Sequence, residues 1–550
     1  MTIKTNSWGL ALVASAALAA CGGGGSDTPA TPSAVTIAGT AAKGAALAGA
    51  TVSVKCAAGT GTATTGSDGK YTVTITGANL PCALKVVGTE GSVFHSVVPG
   101  TESTGNFAAN ITPLTEMLLA KVAGAAPGTF FAGFNANTPV TAAQVSAAID
   151  YVKVALSGSA DLTGVNPVTD ALVVGNPLDQ KIDAVMAALA TAGTTLAEVA
   201  ATIVANPTAP TVISAPLAVP ASDCAWLKSG KYRMISPYET DPKWRAHVLS
   251  IDAAAKTLKD QDGVTGSFTS NGGCQYTVDG IDATNTVMVS SGGVLVVYSQ
   301  SKTTATQRRL TIGLPEQTLP VSELTGTWSL AGWDPASGIA TAGYVAQTNE
   351  AVIDATGQVT STVNCQGLAA CAVNGGPFPK LTANAASGGF DAAFSGANFA
   401  RAFLFKTLAG KVAFVFIADD GQFIVGTRKE PLGTLPAVGT VTNFRQFTLN
   451  GNATVSTLSE DSTTVTAIDA TAKTVTRRLA SNSRIDMLSY DKPRDGLRYR
   501  ASNSCSISGV VNNCSEIVQL PLQGMGITLT LSVGTNPTTA FYQASVGKPN

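Results

Sequence analysis

Apolar and polar positions alternate along most of this chain. Val52 and Val54 before Cys56, and Tyr71, Val73 and Ile75 after Ser67-Asp68-Gly69-Lys70, recur with period two, as expected of half-buried strands. Asp-Gly between two such runs predicts a hairpin turn. From Thr112 the period changes to that of a helix. Thr112-Pro113 sets a cap residue before proline at the first helical position, and further starts follow at Thr141 with Gln144, Pro177 after Asn176, and Thr195 with Glu198. Val145, Ile149, Val152 and Leu156 form one apolar stripe, and Leu178, Ile182, Val185 and Leu189 another. The opposite faces are Ala, Thr and Ser, so the helices are expected to pack on each other or on the preceding strands. A membrane-surface role would need Lys and Arg flanking the stripes, and these are scarce. Pro207, Pro210, Pro216 and Pro220 mark a semi-rigid linker, after which the strand pattern runs to the end.

Within that last stretch the phrase Ile251-Asp252-Ala253 returns as Ile353-Asp354-Ala355 and Ile468-Asp469-Ala470, about a hundred residues apart, which reads as one β-unit used three times. Gly230-Lys231-Tyr232 and Gly326-Thr327-Trp328 precede the first two copies, and the third has no matching start. Each aspartate is expected to turn a hairpin or cap backbone. The expected fold is mainly β with an α-helical insert. A β-sandwich (34–110), a helical domain (111–205), a linker (206–222) and β-units at 223–320, 321–435 and 436–550 follow one another, each unit a sandwich or a barrel.

Ahead of this body, Lys4 and the apolar run Trp8 to Ala17 have the make-up of a signal peptide, too short to span a membrane. Leu18-Ala19-Ala20-Cys21, followed by Gly22 to Gly25, resembles a bacterial lipobox. The resemblance implies removal of residues 1–20, acylation of Cys21 by palmitate-like chains, and a lipid anchor in the outer membrane. Residues 21–33 then read as a flexible tether. The stretch Ala46-Leu47-Ala48-Gly49-Ala50-Thr51-Val52 with Asp68-Gly69-Lys70-Tyr71 resembles the carboxypeptidase-regulatory-like, transthyretin-like β-sandwich, a family in which this module is structural or adhesive. The order of a small β-module, Thr-Pro-Leu-Thr and alanine-rich helices resembles a class of proteobacterial surface lipoproteins with no known activity. Gly326-Thr327-Trp328 is similar to the opening motif of lipocalin-like barrels, which implies a closed meander able to hold an apolar ligand. The expectation on the residues themselves is a sandwich or barrel filled by its own side chains.

Charged residues are 13% of the 550 and net charge is −1, against a usual charged share of about 25%. Arg308-Arg309 and Arg477-Arg478 are isolated pairs, expected on solvated strand faces, so no nucleic-acid partner is expected. Nine cysteines less Cys21 leave an even number for disulfides in an exported chain. Sequence proximity and domain grouping favour Cys56 with Cys82, Cys224 with Cys274, Cys365 with Cys371, and Cys505 with Cys514.

Catalytic chemistry finds little support. Only His95 and His247 are present, in different expected domains, and no nucleophile elbow, zinc helix or phosphate loop occurs. No cofactor and no metal site is expected. Asp260-Gln261-Asp262-Gly263 and Asp419-Asp420-Gly421 are the best acid pairs for glycosidase chemistry, and hairpin turns explain both. Of five tryptophans all but Trp8 lie between residues 226 and 333: Trp226, Trp244, Trp328 and Trp333 are a candidate contact surface for a glycan or envelope protein, with core filling as the plainer account. The sequence therefore reads as a lipid-anchored envelope protein with a non-enzymatic binding, adhesive or structural role. A glycan- or peptide-processing hydrolase and a lipocalin-like carrier are the alternatives. Cys21→Ser is expected to shift the protein from the membrane fraction to the soluble periplasm, and cell fractionation in which the variant stays membrane-bound would contradict the lipobox.

Overall fold

The computed structural model describes residues 33–237, 239, 241–280, 283–301, 308–335, 344–366, 370–450, 456–512, 514–533 and 541–549. Cys21, its tether and the signal segment lie outside the described residues. Seven strands from Ala34 to Ala108 form a three-stranded and a four-stranded sheet. Val35, Ile37, Tyr71 and Val73 of one and Val52, Val54, Leu84 and Val86 of the other share one core, which makes this part a β-sandwich. The Asp68-Gly69 turn does not close a paired hairpin. Thr60–Thr64 pairs with Thr51–Ala58 in one sheet, and Lys70–Thr76 pairs with Ala34–Thr40 in the other. Buried Thr65 bends the chain off the first ladder by accepting the Ala50 N–H at 2.8 Å and donating to the Leu47 carbonyl.

The longest helices, Pro113–Ala123, Ala142–Leu156, Pro177–Ala192 and Leu196–Ala205, start where the capping signals place them. Thr112, Thr141 and Thr195 complete reciprocal capping boxes, and the Asn176 side chain accepts from the Asp179 N–H. Leu114, Met117, Ile182 and Ile203 belong to the same core as the sandwich residues Phe94 and Val97. Strands and helices here are one packed body. The proline-rich stretch expected as a linker contains the short helix Thr211–Leu217, with Val212, Ile213 and Leu217 buried. Pro210 stands at the cap, where its missing N–H is no loss, and Pro216 lies inside the last turn, which the helix ends one residue beyond.

The rest of the chain makes three antiparallel sheets, each curled on itself. In the first, Gly230–Ile235 pairs with the next strand, Ala246–Asp252, and with the last, Arg308–Pro315. The two outermost of its nine strands, Thr265–Ser267 and Thr269–Gly272, are neighbours in sequence across Phe268, so the wall is an up-and-down barrel with one seam. The second sheet repeats this order, with Gly326–Pro335 between Tyr344–Ile353 and Phe423–Arg428. The third has ten strands, two of which, Cys505–Ile507 and Val510–Asn512, form a side hairpin. The remaining strands close completely, because Thr474–Leu479 pairs with Ile485–Tyr490 and Val441–Asn450 pairs with Phe541–Gly547.

The repeated phrase has a structural counterpart. Asp252 and Ile353 end the second strand of their barrels, and Gly230 and Gly326 stand directly opposite Ile251 and Ile353. Both glycines have φ values of 140° and 129°, a region that other residues avoid. The aspartates cap the following turns. Asp252 accepts the Ala255 N–H at 3.0 Å, Asp354 those of Thr356 and Gln358, and Asp469 those of Thr471 and Ala472.

Alternation puts one side of each strand in a lumen and the other on the outer wall. The outer walls of all three barrels meet in one core, to which the first contributes eight buried residues, the second eight and the third fourteen. Ile312, Val296, Val415, Phe423, Phe447 and Leu520 are among them. Phe447, 1% exposed, lies edge-on to Tyr298 of the first barrel at 5.5 Å between ring centres. Phe447→Ala is expected to cost about 3–5 kcal/mol and to lower the urea midpoint of all three barrels together. A loss below about 1 kcal/mol, or a change confined to the third barrel, would show that the walls do not share a core.

Candidate functional site

The first barrel encloses a cavity of about 410 Å³, within the range of small-molecule sites, about 300–1,000 Å³. Its body is apolar. Leu249, Ile251, Val278, Val287, Leu295 and Val297 face inward from neighbouring strands. Gly313 lets the inner end pack closely, since a Cβ there would lie 2.8 Å from Met234 Sδ. Strand register gathers Ser236, His247, Asn285, Ser299, Arg309 and Thr311 at the opposite end. The lumen is thus apolar along its length and polar at one mouth.

Charge at that mouth is paired. Arg309 donates to Glu239 at 2.6 Å, and Arg245 reaches across to Asp419 of the second barrel at 2.6 Å. His247 Nδ1 lies 2.9 Å from the Trp244 carbonyl, to which it donates, and its ring meets the Trp244 ring edge-on at 5.1 Å. That bond leaves Nε2 as the acceptor nitrogen. Burial pushes the His247 imidazole below its ordinary range, while the Trp244 carbonyl and Glu239 pull the other way. The ring is accordingly neutral at pH 7.

Few of the residues singled out in the sequence share this site. His247 does. His95 lies in the sandwich, 4% exposed, its N–H and Nδ1 on Glu116 at 2.6 and 2.9 Å. Glu116 is thus the carboxylate partner that sequence proximity does not reveal, and the pair ties the sandwich to the helix Pro113–Ala123. Trp328 is fully buried inside the second barrel, where it donates to the Leu324 carbonyl at 2.8 Å and packs against Phe414, so it belongs to no contact surface. The Gly-x-aromatic position points inward, which is why the residue is core. Trp226 is partly buried against the first barrel's interior, and the side chain of Trp333 lies outside the described residues.

The acid pairs are turns. Asp260 accepts the N–H groups of Asp262 and Val264, and Asp420 that of Gln422. Among the described residues no group of His, Cys, Asp and Glu is arranged to hold a metal. Disulfides join Cys56 to Cys82, Cys224 to Cys274, and Cys505 to Cys514. Cys365 and Cys371 stand directly opposite each other on paired strands, and their side chains lie outside the described residues.

No family model matches this chain, and no curated protein matches it. Among solved structures it is similar to the isotype 1 transferrin binding protein B from serogroup B Neisseria meningitidis, at 8% identity. The match covers 56% of this chain and 66% of that chain with a TM-score of 0.18, too low to define a common fold. The resemblance of residues 34–110 to the carboxypeptidase-regulatory-like module therefore rests on its sequence motif and on the sandwich alone.

Sequence reasoning missed Glu239 and assigned Arg309 to a solvated strand face. The strand Arg308–Pro315 shows why. Its apolar residues Leu310, Ile312 and Leu314 turn outward into the shared core, so Arg309 and Thr311 turn inward to the lumen. The unfolded chain carries an ordinary histidine, near pKa ~6.5, and the folded value is lower. Between the two the unfolded state holds the extra proton, so the contribution of neutral His247 is complete above the unfolded value and is lost as pH falls through the folded one. His247→Gln is expected to reduce the acid-side loss of stability, read as the urea midpoint at about pH 7.5 and pH 5. Identical pH slopes for the variant and the parent protein would contradict a buried neutral ring.

Proposed function

We propose that this chain is a lipid-anchored, non-enzymatic binding protein of the bacterial outer membrane, and that its first barrel holds a small apolar molecule with a polar head group. The observation that carries the reading is the cavity of about 410 Å³, walled by aliphatic side chains and ended by His247, Glu239 and Arg309. Burying the apolar body of a ligand against such a wall releases about 25 cal/mol per Å². The polar mouth supplies donors and an acceptor that fix which end enters first. Cys21 provides the anchor and the glycine tether holds the barrels off the membrane. The units proposed are the sandwich with its helices, then three barrels in the ranges 223–320, 321–435 and 436–550.

A hydrolase reading has no comparable support, because the acids considered for it sit in hairpin turns, Asp260 and Asp420 accepting backbone N–H groups and Asp262 and Asp419 paired with Lys243 and Arg245. Native mass spectrometry of the mature, delipidated protein is expected to show one apolar adduct per chain. Titration with cis-parinaric acid, a fluorescent fatty acid, is expected to saturate at one equivalent and to weaken at least tenfold in Val297→Phe, which fills the lumen. Absence of both the adduct and saturable binding would overturn the reading.

A further inference from the structure

The third barrel reverses the chemistry of the first. Its outer wall is apolar, with Phe447, Leu449, Val518, Leu520, Leu529 and Ala544 in the shared core. Its inner wall carries Gln446, Thr463, Gln519, Thr530, Gln543 and Ser545, around a cavity of about 1000 Å³. Four arginines line that cavity: Arg477, Arg484, Arg498 and Arg500.

Their counter-charges are few and already engaged. Asp486, wholly buried, holds Arg500 at 2.9 Å and Arg484 at 3.1 Å. Asp461 accepts from Ser481 Oγ at 2.6 Å and from the N–H groups of Ser462 and Ser481. Glu460 is held by Arg445 and by Lys548. Arg477 stands opposite Asp486 in the strand register, yet its guanidinium hydrogen-bonds no described side chain. Arg498 lies over the Tyr490 ring at 4.8 Å and likewise hydrogen-bonds none. Among the described residues the Nε atoms of all four arginines are buried without a hydrogen-bond partner. Burial holds the Arg477 guanidinium down at about 10, with Asp486 acting against it and Arg498 and Arg500 adding to it, so it stays cationic at neutral pH.

We propose that the third barrel binds a small organic anion in its lumen, the carboxylate or phosphate of which is held by Arg477 and Arg498 beside the Arg500–Asp486 pair. Guanidinium groups match both oxyanions with two parallel hydrogen bonds. Enclosed donors without partners are rare in folded proteins, and a ligand that supplies acceptors removes their desolvation cost. Water is displaced by the ligand body, which strengthens the contact. The cavity exceeds what a bare ion fills, and Phe444, Val465 and Val475 on its wall accommodate carbon. This site is separate from the lumen of the first barrel in wall, charge and ligand.

Calorimetry on the mature protein at low ionic strength, with citrate as the carboxylate probe and phenyl phosphate as the phosphate probe, tests the proposal. Saturable binding of either supports it, and the tighter of the two identifies the head group. Arg477→Gln with Arg498→Gln is expected to weaken that binding at least tenfold, and Val297→Phe in the first barrel to leave it unchanged. Phenylglyoxal labelling of the unmutated protein gives a readout that does not depend on the variant folding. The bound probe is expected to slow modification of Arg477 and Arg498 and not that of the exposed neighbour Arg478. Failure of both probes to bind, or equal labelling with and without them, would overturn the proposal.

Discussion

Each barrel has an apolar outer wall on the side that faces its neighbours, and this constraint shapes everything else in the C-terminal half. A free-standing barrel with Phe447, Leu520 and Leu529 outward would expose a large apolar patch. Three barrels cover one another instead. A fully buried aliphatic or aromatic side chain contributes roughly 1.5–3 kcal/mol, and among the described residues thirty are buried in the shared core. Polar ties between barrels add direction more than energy. Arg233 of the first barrel binds the Ser387 carbonyl and covers Phe403 of the second, Arg445 of the third reaches the Gly273 carbonyl of the first, and Arg494 of the third pairs with Glu350 of the second. A charged hydrogen bond is worth about 1.5–3 kcal/mol, so the two from Arg233 and Arg445, with the longer ion pair of Arg494 and Glu350 at 3.7 Å, set the orientation while the apolar contact supplies most of the association.

With burial supplied from outside, the lumens are free to differ. The second is packed with Trp328, Phe390, Phe414 and Phe416, and Arg428 lies 4.4 Å over the Trp328 ring. The first substitutes Val, Leu and Ile at similar inward positions and keeps a cavity of about 410 Å³. The third substitutes Thr, Gln and Arg and keeps about 1000 Å³. Side-chain volume decides the first difference, since smaller residues on a fixed strand frame leave space. Hydration decides the second, since polar walls hold water where aliphatic walls close or take an apolar guest.

Local signals in the sequence are read correctly where one residue acts on its near neighbours. Thr141 with Gln144 and Thr195 with Glu198 form the capping boxes their spacing implies, and Asp252, Asp354 and Asp469 each cap a turn at the same place in three barrels. Period two also marks the strands, but it does not say which face is wet. In Thr474–Leu479 the pattern is read as Arg477 and Arg478 on a solvated strand face. The structure sends Arg477 into the lumen and leaves Arg478 exposed. A polar face against bulk water and a polar face against a polar lumen have the same alternation. Closure of the barrel is a contact between strands far apart in sequence, such as Gly230–Ile235 with Arg308–Pro315, and no local pattern contains it. The linker expected from four prolines failed for the same reason, because Val212 is buried by the second barrel rather than by its own neighbourhood.

Charge placement then separates capture from retention. The whole chain is nearly neutral, with net charge −1 and only 13% charged residues, so it projects little field beyond the Debye length of about 8–10 Å. An anion approaching the third barrel is not steered from a distance, and its arrival is governed by diffusion to the mouth. Inside, Arg477 and Arg498 face it across a lumen whose carboxylates are occupied by other donors. Attraction there is strong because the surroundings are enclosed and weakly screened. Such a barrel gains little from long-range attraction and much from slow release, and the first barrel, whose mouth charges are paired with one another, works under the same regime.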